Sequence, residues 1–96
     1  MRMFYKLDED KNVIPAEHPV DKIIRVGNDQ IGMVTVSTVF LPINHNLSNE
    51  GPPVVFETMV FGGKYDQHQW RYSTWEEAEE GHKKVVQQVK MGRILA

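Results

Sequence analysis

The chain has 96 residues, 41% of them apolar and 25% charged, and 13 acidic against 11 basic side chains give a formal charge of −2. That composition suits one globular α+β domain and excludes disorder throughout, and the lack of a basic excess disfavours nucleic acid as a partner. With no cysteine, disulfides, thiolate metal ligands and cysteine nucleophiles are excluded together.

Residues 3–7 form a first strand, ended by the charged turn at residues 8–12. Val13 and Ile14 continue a hairpin, and Pro15 suggests an edge position. A loop over 17–20 leads to a second apolar segment at 22–26, which Gly27-Asn28-Asp29 closes as a turn. Residues 31–41 are the most strand-like part, rich in Val, Thr and Ile, with Val34 and Val36 alternating against Thr35 and Ser37. The alternation slips at Ser37-Thr38, and a β-bulge near Thr38 accounts for the change of phase. Residues 42–53 make a long loop rich in Pro, Gly and Asn, of a length that tends to be functional or mobile. Strands follow at 54–61 and 69–72, the first of them pairing antiparallel with the strand ahead of the loop.

The last element is an amphipathic helix from Trp75 to about Met91. Thr74 is its N-cap and Glu77 stands three residues on, the spacing of a capping box. Trp75, Ala78, His82, Val85, Val86 and Val89 follow the 3.6-residue period and make one apolar face. Glu76, Glu77, Glu79 and Glu80 crowd the positive end of the helix dipole. The densest basic stretch, Lys83, Lys84, Lys90 and Arg93, comes just after them. Gly92 is placed to stop the helix. A small antiparallel sheet packed by one C-terminal helix is the expected architecture.

Chemistry-bearing residues are sparse. The four histidines, His18, His45, His68 and His82, include no pair at zinc-ligand spacing, and no metal or cofactor is expected. His82 falls on the apolar helical face and reads as a hydrogen-bonded core or interface histidine. Ser37 and Thr38 lack the flanking glycines of a nucleophile elbow. Ser48, three residues after His45, is close enough for contact but reads as a turn serine. Glu57 and Thr58 interrupt the apolar run 56–61, and a glutamate there must reach solvent, find a partner or face an interface. With Tyr65, Arg71 and Tyr72 nearby, and His45 on the loop, the alternative to plain solvent exposure is a binding surface of aromatics, arginine and carboxylate. No catalytic residue is assigned.

Two stretches carry a resemblance. One is Val36-Ser-Thr-Val-Phe-Leu41 with Asn44-His45 and Gly51-Pro-Pro-Val-Val-Phe-Glu-Thr-Met-Val-Phe-Gly-Gly63. The other is Arg71-Tyr-Ser-Thr-Trp-Glu-Glu-Ala78 with Gly81-His82. Together they resemble a family of small proteins encoded by tailed bacteriophages and prophages, over about residues 34–86. Members of that family often carry an aspartate before the loop histidine, where this chain has Asn44. The resemblance implies phage origin and action in the host bacterial cytoplasm, and it brings no known activity and no catalytic residue. No signal-peptide core opens the chain and no apolar run exceeds three residues, so no membrane segment is expected.

The expectation is therefore a non-enzymatic phage accessory protein that binds a host or phage protein, in host takeover or counter-defence, with a homo-oligomer in view. Its rivals are a small-ligand or nucleotide binder with a site between protomers, a metal-dependent hydrolase, and a minor virion component.

Overall fold

The computed structural model describes residues 4–20, 22–46 and 50–92. Within them run β1 (Tyr5–Leu7), β2 (Val13–Pro15), β3 (Ile24–Ile31), β4 (Val34–Phe40), β5 (Phe56–Phe61), β6 (Gln69–Tyr72) and α1 (Trp75–Lys90). β1 and β2 form a two-stranded hairpin, and β3 to β6 form a four-stranded antiparallel meander in chain order. α1 lies across one face of the meander and touches all four strands. The fold is α+β, antiparallel sheets with a single C-terminal helix. Met3, Ser48 and Arg93, named above, lie outside the described residues, and none of the described helices is long and apolar enough to cross a membrane.

The first hairpin turns because Asp8 caps its own loop. Its Oδ1 accepts the N–H groups of Asp10 at 2.9 Å and Asn12 at 2.8 Å. The Asn12 N–H above all holds the Asp8 carboxyl below the usual carboxylate range. Pro15 pairs with Tyr5 on a strand that has no second neighbour, the place where a missing N–H costs nothing.

The middle of the chain differs from the sequence reading in three ways. Gly27-Asn28-Asp29 is not a turn, since β3 runs straight through it and the chain reverses at Gly32-Met33. The strand-like stretch 31–41 is consequently split, with Ile31 closing β3 and Val34 opening β4 opposite it. The bulge does lie beside Thr38, but in the partner strand: the register shifts between Arg25 and Gly27 of β3, opposite the Thr38–Val39 step of β4. β4 keeps strict alternation: Val36, Thr38 and Phe40 are buried while Thr35, Ser37 and Val39 are half-buried on the other face. Thr38 is in phase, a polar residue pointing into the core, and its polarity is what imitated a slip.

α1 matches its expected start and face. Thr74 Oγ1 accepts from Glu77 N at 3.1 Å, and Glu77 Oε1 accepts from both Thr74 N and Ser73 N at 3.1 Å. Two orphan donors ahead of the helix are thereby satisfied by one carboxylate. Ala78, His82, Val85 and Val86 are buried. Val85 and Val86 pack on Val36 and Val60, while Ala78 packs with Phe40, Val55 and Phe56. Burying each such side chain contributes about 1.5–3 kcal/mol for Val or Phe. Trp75, the first residue of the apolar face, closes that end, its ring 6.3 Å from Phe56 in an edge contact, with Lys11 Nζ 4.4 Å from its centroid.

Candidate functional site

With α1 on one face of the meander, the opposite face is left open. The register puts Arg25, Val39, Glu57 and Arg71 in one cross-strand row there. Asn28, Ser37, Met59 and Gln69 make the next row, and Gln30, Thr35 and Phe61 the third. Arg71 Nε donates to Glu57 Oε2 at 3.3 Å. So Glu57 and Arg71, fourteen positions apart in sequence, do meet, because cross-strand partners share a face. Phe61 is 48% exposed, and Val39 and Met59 are half-buried. A diagonal apolar strip of Val39, Met59 and Phe61 thus crosses the two central strands, beside Thr35, Ser37 and Glu57 and between polar outer strands. Sequence reasoning missed Val39, Met59 and Phe61, although counting in twos from Glu57 reaches Met59 and Phe61.

The same alternation takes Thr58 and Tyr72 off that face. Thr58 is fully buried beneath α1, in the row Gly27–Thr38–Thr58–Trp70. Its hydroxyl lies 2.5 Å from that of Thr38, which in turn lies 2.7 Å from His82 Nδ1. Tyr72 shares a hydrogen bond with Thr58, which partly offsets the rise that burial imposes on the phenol. On the far side, His82 Nε2 stands 3.8 Å from Asp29 Oδ2. At that distance the contact is one of charge, and Nε2 has no hydrogen-bond partner. The Asp29 carboxylate favours the proton on Nε2, so Nδ1 accepts from the Thr38 hydroxyl, which in turn accepts from that of Thr58.

Thr38, His82 and Asp29 have the residue types of a nucleophile, a base and an acid. Thr38 is wholly buried and already bonded to a second hydroxyl, so no substrate reaches it. The seam is a polar strip within an apolar interface, hydrogen-bonded from Thr58 through Thr38 to His82 Nδ1 and left open at Nε2. Its helix and sheet come close because two positions lack a side chain. The His82 ring fills the space above Gly27, where a Cβ would approach within 2.9 Å, and the Tyr72 ring and hydroxyl fill the space over Gly81.

The other residues named from the sequence are scattered. Tyr65 sits in the β5–β6 connection and its hydroxyl donates to the Gly92 carbonyl at 3.3 Å, tying that turn to the end of α1. His68 packs its ring between those of Tyr65 and Trp70, and Asp66 Oδ1 accepts from Gly62 N at 2.6 Å. His45 lies on the β4–β5 loop, which Asn44 braces by accepting from Asn46 N at 2.9 Å and Val54 N at 2.8 Å. An aspartate at 44 would accept the same two N–H groups. Among the described residues no group of three or more His, Asp or Glu could hold a metal ion. No protein-family model, curated protein or solved structure matches the chain.

Proposed function

We propose that this protein works by binding another protein and carries no catalytic activity, as a phage accessory product in the bacterial cytoplasm. The contact surface in this reading is the open sheet face around Val39, Met59 and Phe61, edged by the Glu57–Arg71 pair. One observation carries it: a half-exposed phenylalanine continues an apolar strip over the middle of a sheet whose other side is already covered. An apolar strip bordered by arginine and other polar side chains is a composition found at interfaces. His45, Thr58, Tyr65 and Tyr72 are left out of this surface, since they lie on the loop, in the core or against α1.

Affinity purification from infected cells tests the reading with wild type, Phe61→Asp and the double change Glu57→Ala, Arg71→Ala. Removing both members of the pair leaves neither charge without its partner, and circular dichroism checks that each variant is folded. The expected result is a recovered partner that protects β4 and β5 amides from exchange and is lost from both variants. Partners retained undiminished by both would remove the open face as the contact surface.

A further inference from the structure

At the end of the meander where β3 begins and β4 ends, the chain encloses a cleft of about 450 Å³. That is within the size range of small-molecule sites, about 300–1,000 Å³. Phe4 forms one wall, Leu41, Pro42 and Ile43 a second, and Pro19, Val20 and Ile23 a third. The first two are fixed to one another by backbone. Phe4 and Ile43 form an antiparallel bridge, and Tyr5 N donates to the Pro42 carbonyl at 3.0 Å. The loop behind them is pinned by Leu41 N to Val55 O and His45 N to Val54 O, both at 2.7 Å. The cleft is therefore preformed on these sides. Its lips stay apolar and open: Ile23 is 64% exposed and Ile43 46%.

Among the described residues lining the cleft, only Lys22 and His45 can carry a charge, and both would be positive. In a chain with an acidic excess, an apolar recess whose described lining offers a lysine ammonium and an imidazole and no carboxylate selects for an anion with a greasy body. We infer that this cleft binds an amphipathic monocarboxylate, its chain or ring against Phe4, Leu41 and Ile43 and its carboxylate at Lys22 and His45. At about 30 Å³ for each water-sized atom, the space takes about fifteen heavy atoms, the scale of a medium-chain fatty acid. Lys22 supplies a point charge with three donors and His45 one directional N–H. This site is separate from the open sheet face and does not depend on it.

The test is a methyl-resolved NMR titration of the full chain with octanoate, octanol and octylammonium, each below its micelle concentration. Octanoate is expected to move the Ile23 and Ile43 methyl signals saturably. Octanol should bind about tenfold more weakly, the ratio that about 1.4 kcal/mol of charge-assisted bonding produces, and octylammonium more weakly still. The double change Lys22→Gln, His45→Gln should bring octanoate down to the level of octanol, and Ile43→Asp should weaken both. Equal binding of octanoate and octanol by the unmodified chain overturns the inference, as does saturation that leaves Ile23 and Ile43 unmoved. So do shifts at these methyls that follow protein concentration alone, which would make the occupant a second copy. These comparisons hold even where a variant unfolds, since the ligand series needs no substitution.

Discussion

Burial pushes the His82 imidazole below the usual histidine range, and the Asp29 carboxylate pulls it part of the way back. An unfolded histidine titrates near 6.5, so as pH drops through about 6.5 the unfolded chain takes up the proton first and stability is lost. The loss levels off once the folded value is passed, and above about pH 7.5 the full contribution remains. Denaturant midpoints measured between pH 5 and 8 should therefore fall on the acid side. Asp29→Asn should widen the fall, because it removes the charge that supports the imidazolium, and His82→Leu should remove this part of it. A slope unchanged in His82→Leu would assign the effect to other groups. Thr38→Val tests the neighbouring bond: it orphans a buried ring nitrogen, which costs about 1–3 kcal/mol. Adding His82→Leu to that variant removes the orphan and should recover part of the loss.

At the scale of elements, the approach of α1 to β6 is set by Gly81. In an exposed helix, Gly→Ala gains about 0.8–1 kcal/mol from propensity. Here the added methyl would run into the Tyr72 ring and hydroxyl, and overpacking costs about 1–3 kcal/mol, so the net sign is destabilising. Guanidinium unfolding should show Gly81→Ala below wild type, and Tyr72→Ala as a background in which the same change turns neutral or favourable. The helix itself is legible in the sequence because its signals are local: Thr74 and Glu77 form the box, and the apolar period runs without interruption. β3 is not, because Gly27-Asn28-Asp29 has turn chemistry and only tertiary contact shows why a glycine is needed there, to admit the His82 ring from 55 positions away. Glu57 stands out in sequence as a lone carboxylate in an apolar strand, but its pairing with Arg71 depends on register. Thr58 is misassigned beside it because adjacent strand residues face opposite ways.

For the whole molecule, the open face bears on how copies of the chain meet. Four strands about 4.8 Å apart, each about six residues at about 3.3 Å, cover about 400 Å². Two copies stacked through that face alone would bury about 800 Å², short of the roughly 1,200–2,000 Å² of stable interfaces. A partner reaching over the rim to Arg25 and Arg71, or wrapping the β3 or β6 edge, would bury more than a second copy of this sheet can. The homo-oligomer anticipated from the sequence therefore needs surface beyond this face. Sedimentation velocity at micromolar concentration should return a monomer for wild type. It should return the same species for Phe61→Asp, a substitution at a half-exposed site. A dimer that Phe61→Asp dissolves would mean the sheets do stack on one another, and the free face assigned to a foreign partner would already be occupied. A dimer indifferent to that change would put self-association on another surface and leave the open face available.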